Sequence, residues 1–261
     1  SDWYRFPQFP EYSDPGFWLA KSNGGVLAVG TAKHFGDAKQ ADRSGPIVDI
    51  AAPLTSDGYW LVSDSGEVFA YGNAVHHGDL RGQAPNEAVV AMTAHPMGNG
   101  YWLATADGGV FSFGSAGFYG SMGSVALNKP VVGMESTRSG KGYWLVASDG
   151  GIFSFGDAGF FGSTGDIVLN EPITSMTAAR DGRGYWFVAS DGGVFSFGSV
   201  EFFGSRGGSK NRRSTAGMAV TNTNDGYWLV WDDGTSFPFG DAPDFASSVA
   251  KRTVVAMEVV P

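Results

Sequence analysis

The chain has 261 residues, 43% of them hydrophobic and 14% aromatic, enough to bury a large core, and its 40 glycines point to many turns rather than to disorder. Seventeen basic against 26 acidic residues give a net charge of -9, which repels a phosphate backbone and argues against a nucleic-acid partner. Cysteine is absent, which excludes a disulfide framework, a zinc-thiolate site and a cysteine nucleophile.

The start SDWYRFPQFP lacks the basic and apolar segments of a signal peptide, and no run of about 18 apolar residues exists to span a bilayer. A soluble chain is expected, mature or excised from a longer one. Trp3, Tyr4, Phe6 and Phe9 lie before the first repeat and are expected to form an apolar cover. From there the tetrad Gly-(Phe/Tyr)-Trp-(Leu/Phe) begins at Gly16, Gly58, Gly100, Gly142, Gly184 and Gly226, always 42 residues apart. Residues 16–261 are therefore read as one domain of six repeats.

Within a unit, PITSMTA, GYWFVAS, GVFSFGS and EFFGS are short β-branched or aromatic runs bounded by turn residues, which predicts four antiparallel strands. The link Ser190-Asp191-Gly192-Gly193 suits a tight hairpin, because glycine accepts the positive φ required there. No unit shows a helical apolar period. Six such units make an all-β chain, a six-bladed β-propeller of four-stranded antiparallel blades. The first unit lacks a VVxM strand and the chain ends on one, Val254-Val255-Ala256-Met257, so the C-terminal strand is expected to close blade one. Met257 follows Met218 by 39 residues, which places a three-residue deletion in the loop between them.

Several eye-catching residues are explained by the repeat itself. Trp18, Trp60, Trp102, Trp144, Trp186 and Trp228 share one strand position and are expected between blades rather than as sugar platforms. The pairs Phe111/Phe113, Phe153/Phe155, Phe195/Phe197 and Phe237/Phe239 alternate at period two and share a blade face. Met92, Met134, Met176, Met218 and Met257 recur on the innermost strand as packing residues. His34 and His76 occupy equivalent outer positions that propeller geometry holds roughly 20 Å apart, too far to share an ion. Consecutive His76 and His77 point to opposite faces, and His95 lies in another loop layer, so no histidine metal site is expected. No nucleophile elbow, phosphate loop, HExxH or EF-hand sequence occurs.

Units such as GYWLVASDGGIFSFGDAGFFGSTG (residues 142–165) resemble a repeat of exported actinobacterial proteins, where it accompanies cell-wall hydrolase, peptidase or glycosidase modules. The resemblance covers residues 16–261, is strongest in units three to five, and weakens in the first (GFWLAKSNGGVLAVG) and the last (WDDGTSFPFG). It implies the propeller and a secreted or cell-surface accessory or recognition domain, and it transfers no catalytic residue.

Positions that depart from the repeat are where function is sought. On the inner strands Asp49 stands among small residues, and two positions further along Glu135 and Glu258 stand among Ala and Thr, expected to face each other across the channel. These three carboxylates offer a hard-cation site, such as calcium, or an acid and base for a hydrolase or lyase. Glycosidases need a pair about 5 to 9.5 Å apart, closer than opposite strands of such a channel are expected to stand. The second departure is the loop carrying Arg206, Lys210, Arg212 and Arg213, with Lys251 and Arg252 in the next loop of its class: six of the 17 cations on one rim. The leading expectation is a monomeric, noncatalytic recognition or scaffold propeller of the cell envelope with no required cofactor. Its rim loops would bind an acidic cell-wall glycan or a protein partner, with arginine suited to bidentate anion contacts. A propeller hydrolase or lyase working through Asp49, Glu135 and Glu258 is the alternative.

Overall fold

Each 42-residue unit folds into a small antiparallel sheet, because its apolar runs are only five or six residues long and glycine-rich turns end each one. The computed structural model describes residues 16–54, 57–208, 213–245 and 253–260. The proposed cover at residues 1–15, and the cations Lys210, Arg212, Lys251 and Arg252, lie outside them. In chain order, blade one contributes β1 (Gly16–Lys21) and β2 (Val26–Gly30), and blade two β3 (Ile47–Ala51), β4 (Gly58–Ser63) and β5 (Val68–Gly72). Blade three holds β6 (Val89–Ala94), β7 (Gly100–Thr105) and β8 (Val110–Gly114), and blade four β9 (Val131–Ser136), β10 (Gly142–Ala147) and β11 (Ile152–Gly156). Blade five holds β12 (Ile173–Ala178), β13 (Gly184–Ala189) and β14 (Val194–Gly198). Blade six holds β15 (Thr215–Val220), β16 (Gly226–Trp231) and β17 (Ser236–Gly240), and the chain returns as β18 (Val254–Val259).

β18 pairs with β1, so blade one has the order β18-β1-β2 and the ring is closed by its C-terminal strand, as the missing first strand predicts. Leu19 faces Met257 and Trp18 faces Glu258 in that ladder. All six inner ladders share one irregularity, as between Ile47 and Asp49 in blade two and between Thr215 and Gly217 in blade six. Such a bulge adds twist where the strands crowd together near the axis.

The core lies between blades rather than inside them. Trp60 and Val62 of blade two pack on Met92, Tyr101 and Leu103 of blade three, and the other interfaces repeat this arrangement. The six repeated tryptophans are 0–2% exposed and the five inner-strand methionines are buried, so both sets are packing residues.

Among the described residues each blade has three paired strands, not the four expected from its sequence. The fourth run, such as Gly159-Phe160-Phe161-Gly162, lies along the blade without a ladder and is pinned by side chains. Trp144 Nε1 donates to the Gly159 carbonyl at 2.7 Å, and the same bond, fifteen residues forward, occurs in all six blades. From the next blade, the Tyr185 hydroxyl accepts from Phe161 N–H at 3.2 Å and donates to the Gly162 carbonyl at 2.6 Å. Gly162 takes φ +132°, and a Cβ there would meet the Phe197 ring at 2.7 Å, so only glycine fits. These fixed side-chain bonds replace the strand ladder.

Candidate functional site

The six inner strands β18, β3, β6, β9, β12 and β15 surround a cavity of about 860 Å³ on the ring axis. Its titratable lining consists of Asp49, Glu135, Arg138, Arg180, Asp181 and Glu258, above a wall of inner-strand methionines. Asp49, Glu135 and Glu258 are each half-buried, open to the cavity on one side and enclosed by protein on the others. The carboxylates that the sequence singles out therefore do share one space, brought there from blades two, four and one.

Their roles differ. Both oxygens of Asp49 are engaged by backbone: Oδ1 accepts Ile50 N–H at 2.8 Å, and Oδ2 accepts Met92 N–H of the next blade at 2.7 Å. Asp49 is a tie between blades two and three, satisfying an inner-strand donor that no ladder reaches. Burial pushes its carboxyl up to about 7, against those two bonds, which favour the charged form. Glu135 is pushed up to about 8, chiefly by burial and then by the Asp49 charge, with Arg180 pulling the other way. Glu258 is raised well above the usual carboxylate range by burial and by Glu135 and Asp49, again opposed by Arg180. Near neutral pH the cavity is thus furnished mainly with protonated or partly protonated acids, groups that donate as well as accept hydrogen bonds.

One mouth of the cavity is built from turns following the inner strands. Arg138 Nη1 donates to the Arg180 carbonyl at 3.0 Å, and Arg180 N–H donates to Asn224 Oδ1 at 2.8 Å, linking blades four, five and six. Asn224 has φ +64°, the one non-glycine in the left-handed region among the described residues, at a position where the preceding repeats carry Gly98, Gly140 and Gly182. Asparagine tolerates that conformation, and here it supplies the oxygen that fixes the Arg180 backbone. Sequence reasoning passed over Arg138, Arg180 and Asn224. The signal was nonetheless present, because Leu54, Pro96, Arg138, Arg180 and Asn222 fill one repeat position with unlike residues.

Among the described residues, no group of three or more His, Asp or Glu side chains gathers closely enough to hold a metal ion. The two described rim cations both turn onto blade six. The Arg206 guanidinium lies 4.1 Å above the Phe237 ring, and Arg213 Nη1 meets Asp233 Oδ2 at 2.9 Å. His77 packs at a tilt on Trp60 and edge-on to Tyr101, and His95 packs at a tilt on Trp102.

No family model and no curated protein matches the chain. Among solved structures it is similar to the β-propeller domain of Cps50 (Swd1) from Myceliophteria thermophila, at 12% identity and a TM-score of 0.59. That likeness covers 89% of this chain and 83% of the other, and at such low identity it concerns the fold alone. Among the described residues no helix is long and apolar enough to cross a membrane.

Proposed function

We propose that the chain is a noncatalytic recognition propeller of the cell envelope that binds an acidic glycan at the axial cavity and its arginine-lined mouth. The observation that carries this reading is the convergence of Asp49, Glu135, Glu258, Arg138 and Arg180, each a departure from the repeat, on one cavity. A volume of about 860 Å³ lies within the range of small-ligand pockets. Glu135 and Glu258 in their neutral forms suit sugar hydroxyls, and Arg138 and Arg180 suit the acid groups of the polymer. The envelope location is supported by the likeness of the repeat units to those of exported actinobacterial proteins.

Catalysis is disfavoured by the electrostatics. A hydrolytic carboxyl pair needs one neutral acid and one charged partner, with environments that push the two apart. Here Glu135 and Glu258 are pushed in the same direction, and Asp49 is occupied by backbone donors. The rim loops are a second reading, favoured by the concentration of Arg206, Lys210, Arg212, Arg213, Lys251 and Arg252 in two loops.

A panel of acidic and neutral cell-wall polysaccharide fragments, with peptides as controls, separates these readings. Wild type should bind acidic fragments, and Arg138→Ala with Arg180→Ala should weaken binding by about tenfold or more. Glu135→Gln with Glu258→Gln should retain most of it, since glutamine imitates the neutral carboxyl. Turnover of a fragment that disappears in the double glutamine variant would establish the hydrolase instead. Binding lost only when Arg206, Lys210, Arg212 and Arg213 become Ser would move the site to the rim, and selective peptide binding would replace the glycan by a protein partner.

A further inference from the structure

Five of the six blade interfaces carry the same hydroxyl clasp. Tyr59, Tyr101, Tyr143, Tyr185 and Tyr227 each accept from the backbone N–H of the residue before a glycine and donate to that glycine's carbonyl in the fourth run of the preceding blade, and Tyr227 also accepts from Gly204 N–H. At the interface of blades six and one, Phe17 stands in the tyrosine position and has no hydroxyl to offer. It packs instead on Trp228 and Phe245, with ring centroids 5.6 and 6.1 Å away.

Two further departures accompany it. Gly36, Gly78, Gly120, Gly162 and Gly204 all have positive φ, and a Cβ on any of them would come within 2.5 to 3.0 Å of Tyr71, Phe113, Phe155, Phe197 or Phe239. In the sixth unit the sequence places Ala246 at that glycine position, and Val29 at the position of the ring it would strike. Ala246 lies outside the described residues, and the two substitutions are paired here by repeat position alone. Blade six meanwhile ties its fourth run to itself: Ser236 Oγ donates to the Phe245 carbonyl at 2.7 Å, where the other blades have Val26, Val68, Val110, Ile152 and Val194. What this interface keeps is the backbone bond from Val254 N–H to the Asp232 carbonyl at 3.0 Å, the counterpart of Val89 to Asp64.

We infer that the interface between blades six and one is the joint at which the ring opens, because it lacks the clasp that locks the other five. Opening there frees β18 from its place beside β15 and uncovers Glu258 and the axial cavity, while the chain from β17 to β18 still tethers the two blades. The inference does not depend on what the cavity binds.

Hydrogen exchange followed by mass spectrometry tests it on the unliganded protein. Amides of β1, β2 and β18 should exchange about tenfold or more faster than those of the matching strands in blades three to five. The triple change Phe17→Tyr, Val29→Phe and Ala246→Gly should slow them to the level of the other blades. Tyr185→Phe, which removes one clasp with almost no change of volume, should create a second fast interface between blades four and five. Equal exchange at all six interfaces, or no local effect of Tyr185→Phe, would overturn the joint even if the triple variant failed to fold.

Discussion

The outer part of the ring and its axis follow opposite rules. On the outside, one tryptophan bond recurs six times and one tyrosine clasp five times, with the same residue types at the same offsets. At the axis, Asp49, Glu135, Glu258, Arg138, Arg180 and Asn224 each break the repeat. An interface between blades must bury an aromatic and satisfy any polar atom it carries, so its residues are held nearly constant, Phe17 being the exception. Asp49 and the mouth residues Arg138, Arg180 and Asn224 still tie neighbouring blades, but Glu135 and Glu258 border the open cavity, where the fold places little demand on side-chain identity. The difference teaches that the shell carries stability and the axis is the part at liberty to acquire a ligand.

The most damaging way to break the shell is to leave it open. Removing residues 253–261 deletes β18, strips β1 of its inner partner and exposes its edge. Loss of cooperative unfolding, or aggregation, is expected in thermal melts, and a melting midpoint equal to that of the full chain would show that closure contributes nothing.

The axis should respond to pH rather than to truncation. Unfolded carboxyls titrate near about 3.9 for Asp and 4.3 for Glu. In the folded ring Asp49 and Glu135 are raised to about 7 and about 8, and Glu258 is raised as well. Folding therefore favours the protonated forms, so this part of the stability is present below about pH 4 and is lost as pH rises through about 7 to 8. Denaturant melts of the Glu135→Gln, Glu258→Gln variant should match wild type near pH 4. Near pH 8 the variant should be the more stable, by an amount on the order of 2 kcal/mol. Parallel pH profiles for the two proteins would mean that neither glutamate is shifted by the cavity.

Much of the shell was legible in the sequence. The 42-residue spacing of the tetrads gave six units, and the terminal Val254-Val255-Ala256-Met257 announced the closure because the first unit lacked that strand. The fourth run misled because an aromatic, glycine-bounded segment reads as a strand whether a ladder or a side chain holds it. Its true partners are Trp144 and Tyr185, fifteen and twenty-four residues away in the chain, and local pattern does not report such bonds. At the axis, alignment of the repeats exposed Asp49, Glu135 and Glu258, because each is a charge in a column of small residues. Arg138, Arg180 and Asn224 escaped because they lie in turns beyond the strands, where variation is ordinary. On the rim, closeness in sequence did not determine direction: Arg206 stacks on Phe237 and Arg213 pairs with Asp233.

At the centre of the ring, carboxyls from blades one, two and four share one axial cavity. Carboxyl carbon NMR titration of the intact protein measures this directly, with Asp49→Asn, Glu135→Gln and Glu258→Gln variants assigning the signals. The result expected is three carboxyls titrating far above the rest, Asp49 near 7 and Glu135 near 8, with Glu135 falling when Asp49 is neutralised. Titration of all three below about pH 5, each indifferent to loss of the others, would contradict it.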